Sequence, residues 1–107
     1  MSNRIGNFLK TVTTGGTVVA LSATSLKVNT ATVQAKGANT GYLQVGSSTV
    51  LYSTNEGVRL GIPAANSTPA SVIFSSTRPG ANEVELADIY IDVSVNGEGA
   101  AITWTKA

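Results

Sequence analysis

The sequence predicts an all-β domain, an antiparallel β-sandwich or jelly-roll-like fold, preceded by an extended N-terminal arm. Short runs of alternating apolar and polar residues are separated by turn residues, and no stretch repeats apolar residues at helical spacing. Charged residues are only 12% of the chain, against roughly 25% in typical globular proteins. Thr and Val, which favour strands, are abundant instead.

The first 16 residues are predicted to form an arm, and residues 17–107 the domain. The arm is rich in Asn, Ser, Gly and Thr, and Gly15-Gly16 separates it from the first strand. Polar termini are usually ordered only where a surface binds them. We expect the arm to reach a neighbouring chain, and deletion of residues 1–14 to leave a folded domain; fold-back onto its own domain is the alternative. The expected contact residues are Arg4, Ile5, Phe8 and Lys10.

Most of the domain is predicted to consist of short strands. The second of them is expected to bulge or bend near Asn29-Thr30, where the alternation changes phase. The last before the C-terminal segment is expected to be buried through Val72 and Phe74. The predicted strands cover residues 17–22, 25–36, 42–48, 49–53, 58–60 and 69–76.

The C-terminal segment, residues 85–107, shows the clearest alternation and predicts a closing β-hairpin with its turn at Asn96-Gly97. Trp104 alternates in phase with Ile102 and is expected in the core. The face expected to be apolar carries Ala87, Ile89, Ile91, Val93 and Val95, and the face expected to be exposed or interfacial carries Asp88, Tyr90, Asp92, Ser94 and Asn96.

The acidic residues near this turn are candidate Ca²⁺ ligands, because Ca²⁺ binds carboxylate and amide oxygens. Asp88 and Asp92, however, lie about 13 Å apart along a strand, too far to share one ion. Asp92, Asn96 and Glu98 lack the alternating ligand spacing of a calcium loop. We therefore favour a solvated face and predict no metal. Tyr90 is either a cross-strand partner or an interface anchor.

Composition narrows the function classes. The chain has no Cys and no His, which excludes Cys/His zinc sites, His-based triads and cysteine nucleophiles. No nucleophile–base pair or phosphate loop is evident, so we predict no enzyme, no cofactor and no small-molecule substrate. Scattered basic residues predict no nucleic-acid partner, and the lack of any run of ~18 apolar residues predicts no membrane partner.

Charge is distributed unevenly along the chain. Most basic residues lie in residues 1–80, and most acidic residues lie in residues 81–107. Opposite charge in different regions is compatible with contacts between neighbouring copies. Pairing within one sheet explains it equally well.

Two stretches, "ALSATSLKVNTATVQAKGANTGYLQVGSSTV" and "LADIYIDVSVNGEGAAITWTKA", resemble a group of small phage virion proteins. The shared plan is a long strand, an Asn-Thr-Gly turn, a "YLQVG" strand, a variable loop, an "IYID" strand and a closing "NGEG" hairpin. The resemblance covers about residues 17–107 and includes no catalytic or ligand signature. It implies a compact β-sandwich in a virion shell or tail.

Within that group, the sequence is most similar to capsid decoration (cement) proteins. The resemblance implies a homo-oligomer, expected to be a trimer, on the outer capsid surface of the virion. Made in the host cytoplasm, it would clamp neighbouring subunits of the major capsid protein and stabilise the shell. The alternatives are a tail, neck or fibre-base protein, or a small carbohydrate-binding module. That module would use the aromatic residues Tyr42, Tyr52, Tyr90 and Trp104.

Overall fold

The computed structural model describes residues 4–54, 56–62, 70–78 and 80–107. These residues form two four-stranded sheets and one two-stranded sheet, and all their strand pairs are antiparallel. The described ranges contain no α-helix and two short 3₁₀ turns, Tyr52–Thr54 and Leu86–Asp88. The prediction of an all-β fold with antiparallel sheets is confirmed.

Consecutive strands lie in different sheets along the chain, except for β5 and β6, which are paired in the same sheet. Sheet 1 has the order β1-β10-β4-β7, sheet 2 has the order β2-β9-β5-β6, and β3 pairs with β8. The strands are β1 (Arg4–Thr11), β2 (Val19–Ala20), β3 (Lys27–Val28), β4 (Thr30–Ala35), β5 (Leu43–Gly46), β6 (Val58–Leu60), β7 (Ser71–Ser75), β8 (Val84–Glu85), β9 (Tyr90–Val93) and β10 (Gly99–Lys106).

The strand pairs are nested in the sequence. β1 pairs with β10, β2 with β9, β3 with β8, β4 with β7, and β5 with β6. The first half of the chain therefore runs out through five strands, and the second half returns alongside it. Two further pairs, β10 with β4 and β9 with β5, complete the four-stranded sheets.

One buried hydrophobic cluster draws on both four-stranded sheets. Alternate residues of the central strands point into it, as the period-two pattern of β4 requires. Phe8 and Trp104 are half-buried and pack against this cluster, so Trp104 lies at the edge of the core in which it was expected. Sheet 1 contributes Ala31, Val33, Ala35, Ala100 and Ile102, and sheet 2 contributes Leu43, Val45, Leu60, Ile91 and Val93.

Residues 4–11 form a strand of the domain and not an arm outside it. β1 pairs with β10 along its whole length, from Arg4 opposite Lys106 to Thr11 opposite Gly99. The next residue, Val12, is fully buried. Pairing gives the backbone of this stretch hydrogen-bond partners within its own chain. Residues 4–11 therefore fold back onto their own domain, as the alternative prediction had it. The structure does not support an arm that ends at residue 16. Residues 1–3 lie outside the described ranges.

The bend predicted near Asn29-Thr30 is present at Asn29, but the single strand expected over residues 25–36 is wrong: β3 ends at Val28, and β4 begins at Thr30 in a different sheet. The strand expected over residues 49–53 is wrong. There, a turn closed by the Val50 N–H to the Ser47 carbonyl (2.9 Å) buries Val50, and a 3₁₀ turn follows.

The strand expected over residues 69–76 is present as β7, although residue 69 lies outside the described ranges. Val72 and Phe74 are half-buried and pack against the core, so the strand is not buried as a whole. β7 is an edge strand of sheet 1. Its other face carries Ile73, which is largely exposed.

The predicted closing hairpin is wrong, because β9 and β10 lie in different sheets. β9 pairs with β2 and β5, whereas β10 pairs with β1 and β4. The turn at Asn96-Gly97 is present, with Gly97 at a φ of 84°, but it carries the chain from one sheet to the other. Alternation identifies a strand and its faces but does not say which strand lies beside it.

Candidate interaction surface

Asp92 is fully buried, so the expectation that it lies on an exposed or interfacial face is wrong. Its Oδ1 accepts a hydrogen bond from the Gly16 backbone N–H at 2.8 Å. Opposite it on β5 lies Gln44, which is also buried. Gln44 Oε1 accepts from Arg59 Nε, and Gln44 Nε2 donates to the Glu56 carbonyl, each at 2.7 Å. These side chains form a satisfied polar row across sheet 2, which is a structural role.

Glu98 and Asn96 fasten neighbouring loops to the turn between β9 and β10. The Glu98 carboxylate accepts from the Thr40 N–H (2.6 Å), the Thr40 hydroxyl (2.8 Å) and the Gly41 N–H (2.9 Å). Asn96 Oδ1 accepts from the Gly15 N–H at 2.7 Å. Within the described ranges, no acidic residues are grouped so that they could hold a metal ion.

Glu83 and Glu85 also accept hydrogen bonds from loop residues of their own chain. Hydrogen bonds from Thr77, then Arg78, hold the pKa of Glu83 below its ordinary value. A hydrogen bond from the Ser25 hydroxyl, supported by the Leu26 N–H, holds the pKa of Glu85 low despite some desolvation. The acidic C-terminal region therefore uses most of its carboxylates to hold loops of its own chain.

We expect Glu98→Gln to lower the free energy of unfolding at neutral pH by about 1 kcal/mol, since the lost bonds are charge-assisted but partly exposed. Desolvation raises the pKa of Glu98, but hydrogen bonds from Thr40 and Gly41 outweigh it and leave the pKa lowered. A depressed carboxyl pKa stabilises the fold above the unfolded-state value of about 4.3 and stops doing so as pH falls through the folded-state value.

Urea denaturation from pH 7 to pH 3 measures this contribution. The difference between the wild type and Glu98→Gln should shrink as the pH falls below about 4. The matched control is Asp88→Asn, because Asp88 is exposed and makes no hydrogen bond within the described residues. A constant difference across the pH range would contradict the assigned role of Glu98.

The remaining candidate residues are dispersed. Asp88 ends a 3₁₀ turn and is exposed. Tyr90 is half-buried on β9, opposite Ala20 on one side and Gly46 on the other. Arg4 and Ile5 are exposed on β1, whereas Phe8 and Lys10 are half-buried. No surface unites the aspartates of the C-terminal segment with the basic residues of β1.

The structure instead brings together the outer face of sheet 1, whose three registered rows carry no charged side chain, although Lys36 reaches Thr11 at its margin. We call it the uncharged face. Across the strand order β1, β10, β4 and β7, its registered rows are Ile5–Thr105–Thr30–Ser75, Asn7–Thr103–Thr32–Ile73 and Leu9–Ala101–Gln34–Ser71, and Thr11 extends it on β1.

Three aliphatic side chains stand out on the uncharged face. Ile5, Leu9 and Ile73 are 74%, 68% and 65% exposed. They lie on the two edge strands, β1 and β7, with a hydroxyl-rich centre between them. The sequence contained the signal, since "TATVQA" and "AAITWTK" alternate Thr, Ala or Gln with buried residues. The sequence did not show that these stretches share one face, because the pairing of β10 with β1 and β4 was not predicted.

Basic residues surround β1. Arg4 lies opposite Lys106, Lys10 is in the same strand, and Lys36 donates from Nζ to the Thr11 hydroxyl at 3.0 Å. None of these four forms an ion pair with a carboxylate of the described residues. β1 is therefore an edge strand in a positive environment beside the uncharged face.

The part of the chain that the structure describes encloses no cavity. None of its helical segments has the length and apolar character needed to cross a membrane. No protein-family model matches the chain, and no curated protein or solved structure matches it significantly. The resemblance to small phage virion proteins stays a prediction.

Proposed function

We propose that the chain is a structural virion protein, a capsid decoration protein whose two four-stranded sheets pack as a jelly-roll sandwich. The nested pairing supports the jelly-roll part. If the short pair β3–β8 is left out, eight strands remain and can be counted from first to eighth along the chain. Their order across sheet 1 is then first, eighth, third, sixth, and their order across sheet 2 is second, seventh, fourth, fifth. This is the order of a long antiparallel double strand rolled into two sheets, and viral capsid domains use it often.

The observation that carries the binding role is the uncharged face. Exposed aliphatic side chains on a hydroxyl-rich sheet face can be covered by another protein without desolvating a charge. Strand length and spacing give this face an area of roughly 500 Å². That is below the ~800 Å² per partner of a stable interface. Each contact alone would then be weak, which favours an oligomer, expected to be a trimer, that engages several subunits of the major capsid protein at once.

A structural role also agrees with how the polar groups are used. The described carboxylates of Glu83, Glu85, Asp92 and Glu98 are engaged with groups of their own chain. A nucleophile–base pair would need such groups directed at a substrate. The proposal therefore includes no catalysis, no cofactor and no small-molecule substrate.

The tail, neck or fibre-base position is the main alternative, and copy number distinguishes the two. Quantitative mass spectrometry of purified particles should find the chain at a copy number comparable to that of the major capsid protein. A copy number comparable to that of a tail component would move the proposal to the tail. Absence from the particles would refute both.

A carbohydrate-binding module is the weaker alternative. Jelly rolls also occur in lectins, but a sugar platform needs an accessible aromatic face. The Arg59 guanidinium lies over the ring of the partly exposed Tyr42, at 4.5 Å from its centroid. Trp104 packs against the core and Tyr90 is half-buried.

The uncharged face can be tested by replacing its exposed aliphatic residues. We expect Ile5→Thr, Leu9→Thr and Ile73→Thr together to reduce occupancy on particles about tenfold or more, because less apolar area would be buried. Thr keeps strand propensity, so the fold should persist. The matched control is Val58→Thr, which changes an exposed Val (45%) on β6 in sheet 2. Equal occupancy of the triple variant and the control would refute the role of this face.

A further inference from the structure

The outer edge of β1 is the longest strand edge without a partner in the described chain. Each four-stranded sheet has two edge strands. β1 spans eight residues, whereas β7 spans five, β6 three and β2 two. An edge of this length presents a regular row of amide and carbonyl groups to any strand that can pair with it.

Hydrogen bonds next to β1 show which of its groups face outward. The Val12 N–H donates to the Glu98 carbonyl at 2.9 Å, and the Lys36 N–H donates to the Gly99 carbonyl at 3.2 Å. Hydrogen bonding alternates along an antiparallel strand. Even-numbered residues of β1 therefore bond to β10. The amide and carbonyl groups of Ile5, Asn7, Leu9 and Thr11 point to the free edge.

The charge around this edge selects the kind of partner. Arg4 and Lys106 lie at one end of β1, and Lys10 and Lys36 lie near the other. Arg4 and Lys10 are six residues apart, about 20 Å in a strand. A partner strand with a carboxylate near each end would meet a positive group at both.

A second copy of the chain fits this edge less well. If two β1 strands paired antiparallel with Ile5 opposite Leu9 of the other copy, Arg4 of each would lie opposite Lys10 of the other. Directly opposed like charges destabilise a strand pair. The four basic residues around β1 would be duplicated, and none of them forms an ion pair with a carboxylate of the described residues.

We propose that β1 binds an extended acidic segment of a partner protein, which adds to sheet 1 as a fifth strand. Main-chain hydrogen bonds to Ile5, Asn7, Leu9 and Thr11 would provide the affinity. Carboxylates about 20 Å apart would provide the selectivity. The inference rests on the proposed binding role of the uncharged face. It names the contact that begins this binding, because a partner strand added at β1 would continue the uncharged face onto the partner.

The test uses the full chain and a synthetic peptide of alternating Val and Thr, with a Glu near each end at the spacing of Arg4 and Lys10. At low salt, we expect this peptide to bind about tenfold or more tightly than the same peptide with Lys at those positions. Amide NMR should show shifts and slowed hydrogen exchange at Ile5, Asn7, Leu9 and Thr11. Equal binding of the two peptides would overturn the proposal.

Asn7→Pro tests the main-chain contact. Proline removes an N–H that faces the free edge, where the ladder with β10 does not need it, and the Asn7 side chain is exposed. The variant should fold normally and lose peptide binding, whereas Asn7→Thr should keep both. Undiminished binding by folded Asn7→Pro would overturn the proposal. So would concentration-dependent protection of the β1 amides without peptide, which would assign the edge to a second copy.

These results can be separated from a failure of the proposed function. If the peptide does not bind but the Ile5, Leu9 and Ile73 variant still loses particle occupancy, only the edge inference fails. If the peptide binds and the chain is absent from particles, the edge inference holds and the virion role fails.

Discussion

Deleting residues 1–12 is expected to lower the free energy of unfolding by about 4 kcal/mol, from the lost burial of Val12 and Phe8 and the loss of strand pairing. Val12 is completely buried, with 0% of its surface exposed, and Phe8 packs against the core. The deletion also makes the central strand β10 an edge. Since small domains have about 5–15 kcal/mol in total, the truncated protein should stay mostly folded in water but unfold at a clearly lower urea concentration.

Urea denaturation monitored by Trp104, the single tryptophan, measures this effect because Trp104 lies on β10 beside β1. A peptide spanning residues 4–12, added in trans, should shift the urea midpoint back toward the wild-type value. The control is the Ile5→Thr, Leu9→Thr double variant, which alters only exposed side chains of β1 and should change stability by no more than about 0.5 kcal/mol. An unchanged urea midpoint in the truncated protein would show that residues 1–12 do not stabilise the domain, as an arm outside it would not.

Gly6→Ala is expected to be the most destabilising single-methyl addition in β1, at about 3 kcal/mol, in the range seen when a rigid site is overpacked. Gly6 lies directly opposite Trp104. A Cβ on Gly6 would stand 2.2 Å from Cζ2 of the Trp104 ring. The ring is rigid and packs against the core. It can move only by losing that packing.

The matched control is Gly37→Ala, because a Cβ there meets nothing within 4 Å. It should leave the urea midpoint unchanged. Combining Gly6→Ala with Trp104→Val should cost less than the sum of the single changes, since the smaller side chain removes the clash. Additive costs in this double-mutant cycle would show that Gly6 and Trp104 do not constrain one another.

The sequence predicted the class of fold because its evidence is local. β4 alternates Ala and Val inward with Thr and Gln outward, and this pattern needs no knowledge of its neighbours. The break at Asn29 was visible as a change of phase. The closing hairpin was predicted wrongly because the Asn96-Gly97 turn is compatible with a strand that returns beside β9 and with one that crosses to the other sheet. What distinguishes these two arrangements is the pairing of β9 with β2 and β5 and of β10 with β1 and β4, all of which are distant in sequence.

The candidate surface was harder to predict for the same reason. Asp92 was expected on an exposed or interfacial face because its neighbours alternate, but the Gly16 backbone covers its carboxylate and Gln44 lies beside it in sheet 2. The uncharged face combines four strands from both ends of the chain, so its parts look unrelated in the sequence. Ile5 was expected to contact a neighbouring chain, but the sequence did not show that Leu9 and Ile73 share its face of the sheet.

The nested pairing has a consequence for biosynthesis. β1 is made about 95 residues before its partner β10, counted from Arg4 to Gly99. At a translation rate of about 5–20 residues per second, roughly 5–20 s separate the two strands. During that interval the nascent chain carries an aliphatic strand with no partner on the ribosome. Arg4 and Lys10 near its ends would oppose pairing between neighbouring nascent chains, because like charges repel.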